Sequence, residues 1–261
     1  MKKVQRHLTP MLLALMGLAM LSFMAKDSVT LRLHPVQGKT YTVNTKATTM
    51  NMMEVQGQTI NSTQAMETRQ TFTVKETNDT KTVVDAQTEN MKMSVSQMGM
   101  KFEYDSDHPE KTSPMIAEQA KELAKSIKQL TTITYDAMGN VVGEGENQLG
   151  GAIVKLPEEP ISVGSTWTVD KTASVSDMDI NSKMTYTVTS ISKKGVELSI
   201  KGNVESNSDG VSGTYTGTAT INAQTGMIMT SSTKSNLSMT ISQQGLTIPV
   251  TMVGNTTVTV E

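Results

Sequence analysis

The sequence contains no cysteine, and its aromatic residues are one Trp, five Tyr and three Phe in 261 residues. Without cysteine there is no disulfide framework, no thiolate to act as nucleophile or metal ligand, and no lipobox cysteine to carry a lipid anchor. Histidine is equally scarce. Beyond His7 only His34 and His108 occur, at no metal-ligand spacing, so a histidine-based zinc site lacks its parts. No Gly-x-Ser-x-Gly elbow is present. Gly143, Gly145, Gly150 and Gly151 lack both the Lys-Ser/Thr ending and the following helix of a phosphate loop. These absences leave no catalytic residue, metal site or cofactor to assign, and a non-catalytic protein is expected.

Charge of one sign is also thin. Residues 1–25 carry three of the 23 basic residues and none of the 25 acidic ones, so the remaining 20 against 25 leave a balance of −5. A mildly acidic chain without a basic patch excludes nucleic acid as a partner and does not favour anionic lipid headgroups. Lys2, Lys3, Arg6 and His7 precede an apolar run from Met11 to Met24, and the sequence turns polar at Lys26 and Asp27. That layout predicts a signal peptide over residues 1–25, with cleavage at Ala25. The run falls short of the about 20 apolar residues of a membrane span. An exported, soluble protein of the periplasm or extracellular space follows, with no stable membrane span after cleavage.

What the remainder has is alternation. Val29, Leu31 and Leu33 alternate with polar residues, as do Met98, Met100, Phe102 and Tyr104. Met184, Tyr186 and Val188, then Val196, Leu198 and Ile200, then Leu246, Ile248, Val250 and Met252 repeat the pattern. Period two gives strands with one apolar and one polar face, and threonine suits the polar positions. Gln37-Gly38, Asn78-Asp79, Lys194-Gly195, Asp209-Gly210 and Gln244-Gly245 supply turns. One segment differs. Ser113-Pro114 offers an N-cap, and Ile116, Ala120, Leu123, Ile127 and Leu130 recur at helical spacing, which predicts a helix from about Pro114 to Gln129.

The chain also reads as duplicated. Gly38-Lys39-Thr40-Tyr41-Thr42-Val43 parallels Gly164-Ser165-Thr166-Trp167-Thr168-Val169, and Thr71-Phe72-Thr73-Val74 parallels Thr185-Tyr186-Thr187-Val188. The expected organisation is one β-rich domain over residues 26–261, with a pseudo-repeat of 28–142 and 161–261 joined by a connector over 143–160. The expected fold is mainly β (α+β): a curved antiparallel sheet or half-barrel with one helix on its concave face. The alternative is two small β-sandwich-like domains joined near 143–160.

The segment from Leu156-Pro157 through Val163-Gly164-Ser165-Thr166-Trp167 resembles the central motif of an exported bacterial family, domain of unknown function 6263. Asp136-Ala137-Met138-Gly139 is similar to its "Asp-x-x-Gly" element, and Thr225-Gly226 to its "Thr-Gly" turn. The resemblance implies a β-rich fold and no particular activity. Many members carry a lipid-anchor cysteine, which this chain lacks.

Two clusters remain to be weighed. Asp105-Ser106-Asp107-His108-Pro109-Glu110 concentrates acidic oxygens but matches no calcium-loop template, and reads as a solvated loop. Methionine is abundant, 21 residues in all, and it pairs along strands at Met50 and Met52, Met91 and Met93, Met98 and Met100, and Met227 and Met229. Methionine lines surfaces that accept variable apolar shapes, and it also fills cores. The expectation is an envelope protein binding an apolar or lipid-like small molecule in the half-barrel. The cavity is expected to be lined by Met91, Met93, Met98, Met100, Phe102, Ile116, Leu123 and Ile127. The alternative is a structural or interaction module with an envelope protein as partner and no small-molecule ligand.

Overall fold

A computed structural model describes residues 28–55, 57–143, 149, 151–175, 178–206, 210–243 and 246–261. The expected signal peptide, much of the 143–150 part of the connector and the Gln244-Gly245 turn lie outside the described residues. The strands are β1 (Thr40–Val55), β2 (Gln58–Thr77), β3 (Lys81–Gln97), β4 (Met100–Asp105), β5 (Thr131–Asp136), β6 (Thr166–Val175), β7 (Met178–Ser192), β8 (Gly195–Ser206), β9 (Val211–Ile221), β10 (Ile228–Gln243) and β11 (Leu246–Val260). Among the described residues there is one α-helix, α1 (Ala117–Ser126), between β4 and β5.

All strand pairs are antiparallel and belong to one 11-stranded sheet, in the order β4-β3-β2-β1-β11-β10-β9-β8-β7-β6, with β5 also on β3. The sheet is curved and open: β4 and β6 stand at its two ends and do not pair with each other. It is one sheet rather than two sandwiches. Its middle is the seam between β1 and β11, where Val43 faces Val260 and Met53 faces Val250. Beyond the last pair, Thr42 and Glu261 exchange backbone bonds of 3.0 and 2.9 Å.

The core occupies one end of the strands. Tyr41, Val43, Phe72, Val74 and Val84 on one side of the seam, and Val188, Val196, Leu198 and Ile221 on the other, are buried. They enclose a plug of non-strand chain: Leu31, Leu33, Leu149, Ala152, Ile153 and Leu156. The alternation at Val29–Leu33 therefore does not make a strand. Val29 forms a lone bridge with Ile161, while the backbones of Leu33 and His34 bond to the carbonyls of Ala137 and Thr225, which lie in turns. Their apolar faces serve the core all the same.

The paired motifs occupy equivalent places. Gly38 and Gly164 have φ of 77° and 89°. Gly38 N donates to Val74 O and Gly164 N to Val188 O, both at 2.8 Å. Tyr41 stacks on Phe72 with ring centres 5.1 Å apart, and Trp167 on Tyr186 at 5.2 Å. The turns after β5 and β9 share a device. Asp136 Oδ1 accepts from the backbones of Met138 and Asn140, and Asn222 Oδ1 from those of Gln224 and Thr225. β4 and α1 lie between β3 and β5.

The helix is shorter than its periodicity predicts. Pro114–Ile116 form a 3₁₀ turn, α1 ends at Ser126, and Ile127 is extended. Lys128 has φ of 64°, and its N–H donates to Thr88 O at 2.8 Å. Docking the chain back onto β3 to begin β5 cuts the helix before its apolar stripe is complete.

Candidate apolar groove

Strand β3 reaches the groove by way of a β-bulge. Ala86 and Thr88 face the core side of the sheet, opposite Phe72 and Gln70. The register then shifts, so that Arg69 faces Asn90, and Glu89 is the extra residue. The shift moves Met91, Met93, Val95 and Gln97 onto the inner face, which an uninterrupted alternation from Ala86 would have turned outward. Glu89 is fixed there by Thr71 Oγ1, which donates to its carboxylate at 2.9 Å.

Above the core, α1 and the 3₁₀ turn before it lie over β3 and β4. Between them runs a groove of about 670 Å³ lined by Met93, Val95, Gln97 and Phe102 from the sheet, and by Ile116, Gln119, Glu122, Leu123 and Ser126 from the helical side. Met93 pairs across strands with Tyr104, and Val95 with Phe102. Gln64 Nε2 donates to Met93 Sδ at 3.8 Å, which holds the thioether in place. Tyr104 is 3 % exposed, and burial, with the nearby Asp105 charge, pushes its hydroxyl pKa above the usual tyrosine value.

Of the eight residues expected to line a cavity, the structure gathers Met93, Phe102, Ile116 and Leu123 around this groove. Met91 is half-buried two residues earlier on the same face, and Ile127 is half-buried past the end of α1; neither lines it. Met98 and Met100 do not line it either. Met98-Gly99 is the tight turn joining β3 to β4, so the run from Met98 to Tyr104 is not one strand, and the two methionines are 73 % and 50 % exposed. Val95 and Gln97 extend the Met91–Met93 alternation, and Gln119 and Ser126 stand three residues after Ile116 and Leu123; that spacing is the signal by which they were legible.

The methionine pairs do not converge on one place. Asn51 and Met53 face inward, which turns Met50 and Met52 to the outer face, 48 % and 38 % exposed. Met227 is buried in the core and Met229 is 37 % exposed.

The acidic cluster is dispersed by local partners. Lys92 Nζ sits 2.9 Å from Asp105 and is the main reason that carboxyl titrates below the usual range. Asn90 Nδ2 donates to Asp107 at 2.6 Å, and Glu110 lies 3.3 Å from His108 Nδ1. Among the described residues no three His, Cys, Asp or Glu side chains converge on a metal position. His34 and His108 are both exposed, and so is Glu110, the carboxylate beside His108. No described helix is long and apolar enough to cross a membrane.

Residues 146–228 match the model of a family of unknown function, DUF6263. The chain resembles that family over this stretch. The DUF6263 match begins just before the plug residues Leu149, Ala152, Ile153 and Leu156, takes in β6 to β9 and the Asn222 turn, and ends at the start of β10. No curated protein matches. Among solved structures, one of lipovitellin aligns with 87 % of this chain at 10 % identity and a TM-score of 0.50. The chain spans 25 % of that protein's length, so the likeness is one of fold to part of a larger molecule. The translocator domain of the autotransporter NalP from Neisseria meningitidis aligns at 7 % identity over 95 % of each chain, with a TM-score of 0.22. An outer membrane channel from Pseudomonas putida aligns at 11 % identity over 90 % of this chain and 98 % of its own, with a TM-score of 0.24.

Proposed function

We propose that the protein is a non-catalytic envelope protein that holds an apolar, lipid-like molecule in the groove between α1 and the β3–β4 hairpin. The observation that carries this reading is the groove itself. Five apolar side chains, Met93, Val95, Phe102, Ile116 and Leu123, face one another across it, with Gln97, Gln119 and Glu122 among them to meet a polar end. Its volume of about 670 Å³ suits a single acyl chain or a compact ring system. The fold it shares with part of lipovitellin, whose solved structure concerns lipid–protein interactions, supports the ligand class. The charge-then-apolar N-terminus supports export.

The test is native mass spectrometry of the protein purified from its own envelope without detergent. A stoichiometric added mass that organic extraction removes is the expected result. An apo mass, together with no binding of dansylated undecanoic acid in titration, would overturn the reading. One observation favours a second reading, an interaction module: the sheet is open, and β6 offers ten residues of edge backbone. Lys171 shares the inner face of β6 with Trp167 and Val169, however, and an inward charge on an edge strand opposes added pairing.

A further inference from the structure

Three of the chain's exposed apolar side chains flank residues that line the groove: Met98 at 73 % exposure, Met100 at 50 % and Met115 at 74 %. Met98 follows Gln97, and Met100 lies opposite it; Gln97 lines the groove. Met115 immediately precedes Ile116, which lines it from the other side. Met98 is doubly ill-placed for an ordinary apolar residue. Its φ of 51° lies in the left-handed region that favours glycine or asparagine, and most of its surface is in water. Neither packing nor turn formation explains methionine there. A thioether is what methionine brings and leucine or asparagine does not.

We propose that Met98, Met100 and Met115 are an oxidation site that closes the groove to apolar ligands, an inference that rests on the reading of the groove given above. The reactant is a hydroperoxide. The sulfur lone pair attacks the distal peroxide oxygen, a sulfur–oxygen bond forms and the oxygen–oxygen bond breaks. The departing hydroxide takes a proton, so that hydrogen peroxide yields one sulfoxide and one water, with sulfur oxidised and peroxide reduced. In a chain without cysteine no thiol competes for the oxidant. Each sulfoxide places a polar, chiral group at the mouth of an apolar site. Half-buried Met66, Met91 and Met93 and buried Met227 react later, because they are shielded. Met50 and Met52 are exposed on the outer face and serve as an internal control, since their oxidation leaves the groove mouth unchanged.

The experiment treats the folded protein with graded hydrogen peroxide, maps sulfoxides by peptide mass spectrometry and titrates dansylated undecanoic acid at each stage. Met98, Met100 and Met115 are expected to oxidise before Met66, Met91 and Met93, with binding weakened roughly tenfold as they do. A Met98→Leu, Met100→Leu, Met115→Leu variant should keep its binding after peroxide, whereas Met50→Leu, Met52→Leu should lose it as the parent does. Full oxidation of the three rim residues without loss of binding overturns the proposal, as does equally fast oxidation of the inner methionines. Absence of probe binding before any oxidant overturns the ligand reading itself, a different result from binding that survives oxidation.

Discussion

Gly226 adopts φ of 69° in the turn after β9, and a Cβ at that position would press on the Arg32 carbonyl and on Leu156. Both costs fall on alanine, one from the left-handed backbone and one from overpacking against the plug. Gly226→Ala should therefore destabilise the fold by about 3 kcal/mol, read as a lowered melting temperature by circular dichroism. The inner face of β1 predicts a change in the other direction. Thr45 Oγ1 is buried and finds no hydrogen-bond partner among the described residues. Replacing it with valine removes an unsatisfied hydroxyl, and Thr45→Val should stabilise by about 1 kcal/mol in chemical denaturation. A further residue-scale effect appears at alkaline pH. Burial pushes the Tyr135 hydroxyl pKa far above its ordinary value of 10.0, and burial also raises that of Tyr186. Below that value both folded and unfolded chains keep the proton, so stability does not change. Above it the unfolded chain ionises while the folded one resists, and stability falls as pH rises. Tyr135→Phe should remove part of that alkaline loss in melts taken from pH 8 to 11; an unchanged slope would exclude Tyr135 as its source.

At the scale of elements, the two stacked ring pairs are built alike but buried differently. Phe72 is fully buried, whereas Trp167 is only partly buried at the edge of the sheet. Phe72→Ala should cost about 4 kcal/mol and Trp167→Ala clearly less, measured by the same denaturant titration. Helix α1 carries a prediction about binding. Leu123→Asp places a charge in the groove wall, on a short helix away from the main core, and should weaken dansylated undecanoic acid binding roughly tenfold or more with little change in melting temperature. Much of this element scale was legible in the sequence. The matched Gly-to-Val motifs placed β1 and β6, and Ser113-Pro114 placed the start of the helical segment. The Glu89 bulge and the Met98-Gly99 turn were not legible, because both reset the parity of an alternation that reads as continuous. Met91, Met93, Met100 and Phe102 all stand on the inner face, and of these Met93 and Phe102 line the groove. Met98 lies in the turn itself, and Met100, although on the inner face at the start of β4, stands outside the groove lining.

At the scale of the whole molecule, the two halves of the sheet share one core. Leu31, Leu33, Ile153 and Leu156 sit in the same cluster as Phe72 from the first unit and Val188 from the second. Neither unit closes its apolar face without that plug. Equilibrium unfolding should therefore be a single transition, with the fluorescence of Trp167 coinciding with the loss of far-ultraviolet signal. Two separated midpoints would show that the units fold independently. The open ends of the sheet were outside what the sequence could specify, because alternation fixes which face is apolar but not whether the last strand meets the first.

The seam has a consequence in time. Strand β1 forms early in the chain, yet its partner on one side is β11, and the Thr42–Glu261 bonds close the pair from opposite ends of the domain. Few contacts in a protein of this size are more distant in sequence, and such contacts are slow to find. Until β11 emerges, β1 shows one bare edge and the two units are separate pieces of sheet. A chain threaded through a narrow pore from its N-terminus would stay pliable for nearly the whole passage, and would lock only when its last strand arrived.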